Sequence, residues 1–97
     1  MSGRRLYFVY LLTNASHTVL YAGVTRDLRR RVGAHRAGQG AAFTRRYRVH
    51  RLVWYEVHES PVSAIEREKQ VKAGSRRKKV ALIQKMNPQW RDLWFDP

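Results

Sequence analysis

Arg31, His35 and Glu68 sit where helical spacing turns them toward apolar neighbours instead of water. With Leu28 at the origin and about 100° per residue, Val32 falls at about 40°, Arg31 at about 300° and His35 at about 340°. A guanidinium and an imidazole therefore share the apolar stripe of one helix. Arg29 and Arg36 fall on its flank and Arg30 on the solvent side, so of this basic run only Arg31 is expected to look inward. On a later helix Glu68 falls among Pro61, Ala64, Ile65 and Val71, whereas Glu66 falls on the polar side. A carboxylate placed there needs a cation, because an unpaired buried charge is strongly destabilising. One account is structural, an internal ion pair with Arg31 or Lys72. The other is chemical: a lone carboxylate suits magnesium, or manganese, which takes one or two such oxygens and completes its shell with water and substrate phosphate.

The charge of the whole chain points to an anionic partner. Its 97 residues carry 20 Lys and Arg against 7 Asp and Glu, a formal net charge of +13. Residues 1–50 hold ten Arg and one acid, Asp27, while residues 51–97 hold ten Lys or Arg and six acids, which makes the N-terminal half the more basic surface. Arginine outnumbers lysine, and a planar cation that pairs with phosphate makes nucleic acid the expected partner, DNA first and RNA beside it. No cysteine is present, which removes disulfides, cysteine-ligated zinc, iron–sulfur clusters and thiol nucleophiles and fits a cytoplasmic protein. His17, His35, His50 and His58 include no pair at helical zinc spacing, Gly38-Gln39-Gly40 is no dinucleotide fingerprint, and no phosphate-loop lysine motif occurs. No organic cofactor is expected. No apolar run is long enough to span a bilayer, and the start MSGRRLYFVYLL does not read as a signal peptide.

At this length a chain buries about 60 to 68% of its unfolded surface, enough for one sheet packed on a few helices and too little for an enclosed cavity. Any chemistry is expected on an open face of a single domain over residues 5–95. Residues 6–13, LYFVYLLT, are too continuously apolar for a half-exposed strand and read as a central strand covered on both faces. The turn NASHT leads to a second strand, 19–25, and a hairpin. Thr25 or Asp27 caps the first helix and Gly38 stops it. The stretch GQGAAFTRR reads as a loop leading to a third strand, 51–59. Ser60 and Pro61 open a second helix, Ser75 a third that stops before Asn87-Pro88. Trp90, Leu93 and Trp94, spaced i, i+3, i+4, are expected to pack back on the core as one short turn. The order ββαβαα, with a three-stranded antiparallel sheet flanked by helices, is an α+β domain.

Phe8-Val9-Tyr10 on the first strand, Tyr21-Ala22-Gly23 on the second, then Thr25, Leu28, Arg31, His35 and Glu68 together resemble the GIY-YIG nuclease superfamily. The resemblance is closest to its small stand-alone bacterial members, the YhbQ-like or UPF0213 proteins, and extends to TRR at 44–46, RLVWYE at 51–56 and NPQW at 87–90. The namesake Gly-Ile of the first motif is Phe8-Val9 here, and the middle residue of the second is Ala22. Those positions serve strand packing, and the chemistry-bearing residues are kept.

The resemblance implies a magnesium-dependent endonuclease that hydrolyses phosphodiester bonds in DNA, in repair or processing. Tyr10 and Tyr21 would project from adjacent strands, one phenol orienting or deprotonating the water. Arg31 would hold the non-bridging oxygens, Glu68 the metal near the leaving group, and His35 would assist proton transfer or bind phosphate. Arg29, Arg30, Thr44, Arg45, Arg46 and Asn87 are expected to contact the nucleic acid. Trp54 and Tyr55 should alternate across the third strand. The alternative is a nucleic-acid-binding accessory protein that keeps the fold without catalysis.

Overall fold

The computed structural model describes residues 5–94, so the expected domain end at residue 95 lies outside the described residues. Strands β1 (Tyr7–Thr13) and β2 (Leu20–Thr25) form the hairpin, and β3 (Arg51–His58) pairs with the other edge of β1, giving an antiparallel sheet in the order β2-β1-β3. Val9 to Thr13 are at most 1% exposed, which is why β1 reads as an unbroken apolar run: helices cover both of its faces. The hairpin loop is held by Asn14, whose side-chain oxygen accepts the backbone N–H groups of Thr18 and Val19 at 2.9 and 3.1 Å.

The helix starts follow local side-chain chemistry. Asp27 caps α1 (Leu28–Arg36) by accepting from the Arg30 N–H at 3.1 Å, and Thr25 accepts in turn from the Asp27 N–H. Ser60 caps α3 (Pro61–Ala73), with Pro61 in its first turn, and Ser75 caps α4 (Arg76–Met86). The stretch expected as loop contains a further helix, α2 (Ala42–Tyr47). No side chain caps it; its third residue, Thr44, is buried and hydrogen-bonded into α1, so a tertiary contact holds a turn that local signals leave unmarked.

The two faces of the sheet carry separate cores. Val9, Leu11, Ala22, Val53 and Trp54 pack with Ala64 and Val71 of α3 and Ile83 of α4. On the other face Tyr10, Leu12 and Leu52 pack with Val32 of α1 and Val49. Trp54 is buried and Tyr55 half-buried on the opposite side, the alternation expected of β3. The tail does not form one turn on one face. Trp90 joins the α3 and α4 side, stacked on His17 at 4.8 Å, while Leu93 and Trp94 join the α1 side, with Leu93 donating its N–H to the Leu52 carbonyl at 2.8 Å. Asp92 makes the crossing possible by accepting from Arg36 at 2.6 Å and from the N–H groups of Leu52 and Trp94. Among the described residues no helix is long and apolar enough to cross a membrane.

Candidate active site

Tyr10 stands opposite Gly23 in the β1–β2 register, and its ring lies over that glycine so closely that a Cβ there would collide with it. The missing side chain lets the phenol reach across the edge strand, and this is the steric reason for glycine in Tyr21-Ala22-Gly23. The hydroxyl faces the Nε2 of His35 at 3.5 Å. Tyr10 is 1% exposed; burial pushes its hydroxyl up to about 12, only partly offset by the Arg31 hydrogen bond and charge, while the Tyr21 and Glu68 charges add to the rise. At neutral pH it is a phenol, not a phenolate.

His35, 5% exposed, is closely packed on several sides. Its Nδ1 is 2.8 Å from the Thr44 hydroxyl, the rings of Tyr21 and Tyr10 meet it edge-on at 5.7 and 6.3 Å, and Gly40 packs against Nδ1 with no room for a Cβ. Burial, and then the Arg31 charge, hold its pKa below the ordinary 6.5, so the imidazole is neutral at physiological pH. Tyr21, Arg31, Ala34 and His35 line an open cleft of 230 Å³ floored by Gly40.

Arg31 is exposed, which corrects the expectation that it looks inward. The helical wheel gives the direction of its Cβ; the long stem carries the guanidinium out to the rim, where it lines this cleft and a second one with Tyr7, Thr25, Arg26 and Ile65. Ile65 is itself 46% exposed and Pro61 is exposed too, so only Ala64 and Val71 of the expected α3 stripe are buried. Glu68 is sheltered, its side chain 15% exposed, and its ion-pair partner is Lys72 at a loose 4.0 Å, not Arg31. No cluster of three or more His, Asp or Glu side chains among the described residues could cage a metal. A single sheltered carboxylate with a distant ammonium fits a magnesium ion that keeps most of its shell as water and phosphate.

The expected nucleic-acid contacts divide. Arg30, Arg45 and Arg46 are exposed, Arg46 lying over the Tyr47 ring at 5.5 Å. Arg29 is also exposed but is drawn to the tail, over the Trp94 ring at 5.3 Å. Thr44 and Asn87 are corrections, being 2% and 5% exposed. Thr44 bonds His35 and the Ala41 carbonyl; the Asn87 amide donates to the carbonyls of Val53 and Arg91 and accepts the Arg91 N–H, so its donors are committed to closing the tail. Sequence reading passed over Phe43 and Tyr47. They are 45% and 44% exposed, Phe43 stacking on Tyr21 at 6.2 Å and touching Tyr47 at 4.9 Å, an aromatic run leading out of the cleft between arginines. The available signal was two aromatics four apart enclosing Thr44-Arg45-Arg46.

An antiparallel three-stranded sheet that gathers a strand tyrosine, a helix arginine and a histidine at one cleft, with a second tyrosine hydroxyl behind the histidine and within reach of a sheltered glutamate's charge, fits a nuclease-type domain. Residues 6–81 match the model of the GIY-YIG catalytic domain, and the chain belongs to that family, whose substrate class is nucleic acid. Within the family it is similar to UPF0213 proteins of Staphylococcus aureus strains Mu3 and N315, each 39% identical over 77 residues, covering 79% of this chain and 93% of the relative. The solution NMR structure of a UPF0213 protein from Bacillus halodurans superimposes with a TM-score of 0.57 at 33% identity, covering 90% of this chain and 92% of the other.

Proposed function

We propose that this protein is a magnesium-dependent endonuclease that hydrolyses phosphodiester bonds in DNA, acting in the cytoplasm through a single domain over residues 5–95. The observation that carries the reading is the meeting of Tyr21, Arg31 and His35 around one open cleft, with the Tyr10 hydroxyl behind it at His35 Nε2 and Glu68 near enough for its charge to act on that hydroxyl. Bound at Glu68, the metal would supply Lewis-acid stabilisation of charge on the leaving oxygen. Arg31, exposed at the rim of the cleft, pairs with the non-bridging oxygens, where negative charge grows in the transition state. His35 is neutral, and its Nε2 receives the phenol proton of Tyr10 as the Tyr10 oxygen takes one from the attacking water, so that Tyr10 ends as the phenol it began; Tyr21 at the cleft wall orients that water. Arg45, Arg46 and the Phe43–Tyr47 run hold the strand beyond the scissile bond by phosphate pairing and stacking.

The test is incubation of the purified protein with plasmid, single-stranded and branched DNA, and with RNA as a further arm, in magnesium or manganese. Cleavage is expected in the wild type and is expected to be lost in Glu68→Ala while affinity stays or rises, because a negative charge beside the phosphate has gone. A folded wild-type protein that binds nucleic acid and cuts none of these substrates would overturn the reading in favour of a non-catalytic binding protein.

A further inference from the structure

Thr44 has no role in the chemistry assigned above, yet it is the residue that meets the far side of His35. A threonine hydroxyl has one proton and two lone pairs. Its oxygen lies 2.9 Å from the Ala41 carbonyl oxygen, which can only accept, so the hydroxyl proton must point there; otherwise two oxygens would face each other lone pair to lone pair. The same oxygen lies 2.8 Å from His35 Nδ1 and has only lone pairs left to offer. Nδ1 must then carry the proton, and in the neutral imidazole Nε2 is bare. On the other side the Tyr10 hydroxyl lies 3.5 Å from Nε2, and since a bare nitrogen can only accept, the phenol proton points at it. The hydrogen bonds run in one direction, from Tyr10 through His35 and Thr44 to the Ala41 carbonyl.

We propose that Thr44 is a positioning residue: it ends this one-way chain and fixes His35 as the Nδ1–H tautomer, so that Nε2 faces Tyr10 as a proton acceptor. The catalytic value of this rests on the nuclease reading, in which a base must present a lone pair and not a proton. Its structural content does not. A histidine with no orienting partner divides itself between two tautomers, and only one of them can accept here. The arrangement also explains the sequence around it: Gly40 leaves room for the ring at Nδ1, and the short α2 helix, unmarked by any cap, holds Thr44 against α1.

Long-range proton–nitrogen NMR of the full-length protein, at a pH well above the ordinary histidine value of 6.5, reads the tautomer of His35 directly. Wild type and Thr44→Ser, which keeps the hydroxyl, are expected to show a proton on Nδ1 and a bare Nε2. Thr44→Val, equal in shape but without the hydroxyl, is expected to lose that preference. Single-turnover cleavage should fall at least about tenfold in Thr44→Val with DNA affinity unchanged, and recover in Thr44→Ser, since a base in the wrong tautomer has no acceptor to offer. A proton on Nε2 in the wild type, or an unchanged tautomer in folded Thr44→Val, would overturn the proposal. If Thr44→Val does not fold, the wild-type and Thr44→Ser spectra still decide it. A wild type that cuts nothing but shows the Nδ1–H form would overturn the nuclease reading and leave the tautomer assignment supported.

Discussion

Two histidines, His35 and His58, each bond through both ring nitrogens, and the two clusters differ in what they leave over. His58, at the end of β3, lies 2.6 Å from the Ser63 hydroxyl and 2.7 Å from Glu56, a serine–histidine–glutamate row that invites a reading as a nucleophile site. Yet Glu56 is also gripped by Arg67 at 2.9 Å, and Arg67 donates onward to Gln70 at 2.6 Å. Cation and carboxylate cancel within the cluster, the bonds of His58 and Arg67 to one Glu56 oxygen are 2.7 and 2.9 Å, and its effect is to tie β3 to α3. Around His35 the contact to Tyr10 is long, Arg31 reaches out to solvent, and Glu68 holds its lysine only at 4.0 Å. A cluster that stabilises closes its charges on itself, whereas one that binds a phosphate and a metal must leave a cation and a carboxylate only loosely engaged.

The comparison breaks most visibly at Arg31. Arg31→Ala is expected to lower cleavage about 100-fold or more, because a lost donor to the transition-state oxygens costs about 3 to 4 kcal/mol. Its melting temperature should hardly move, since the residue is exposed and Glu68 pairs with Lys72 instead. Arg30→Ala, the same substitution one position earlier on the helix's solvent side, should weaken DNA binding and leave the rate at saturation intact. Melting curves and single-turnover rates for both variants check this. A large stability loss in Arg31→Ala, with activity following the folded fraction, would make the His35 cluster as structural as that of His58.

What the sequence made legible was local. Asp27, Ser60 and Ser75 announce their helices because a cap bonds within three residues, and β1 announces its central place by an apolar run that only two covered faces can accommodate. The family's residues were legible by spacing, and the model does bring Tyr10, Tyr21, Arg31 and His35 together. Three features were not legible because each depends on a contact across the fold. Thr44 looked like one more polar residue in a basic loop and is the buried anchor of α2. Asn87 looked like a binding position and closes the tail. Arg31 shared a wheel position with the core, but a wheel follows Cβ directions and a guanidinium ends several bonds beyond.

Acid titration sharpens the comparison by a smaller effect. Burial and Arg31 hold the folded pKa of His35 below 6.5. As pH falls through that value the unfolded chain takes up a proton that the folded chain refuses, so stability is full above 6.5 and declines below it until the folded pKa is reached. His35→Gln is expected to flatten this decline in melting temperature between neutral pH and the mildly acidic range. An unchanged slope in the variant would mean that the ring is not held neutral in the folded protein, and Nε2 would then lose its standing as an acceptor.

The smallest effect belongs to the His58 cluster and has a window of its own. Burial pushes the Glu56 carboxyl up, but hydrogen bonds from His58 and Arg67, together with their charges, outweigh it and hold the pKa below the ordinary 4.5. Here too the folded chain refuses the proton, and the stabilisation is present above 4.5 and is lost as pH falls through the lower folded value. Glu56 lies 36% exposed at its side chain, where water screens the pair, and Glu56→Gln should therefore cost less than about 1 kcal/mol at neutral pH. Its mark should be a shallower loss of stability in acid below the range where His35 acts, with cleavage of DNA at neutral pH unchanged. Melting temperatures of Glu56→Gln and His35→Gln across both ranges would separate the clusters. A fall in cleavage for folded Glu56→Gln would instead show that the Ser63–His58–Glu56 row takes part in function.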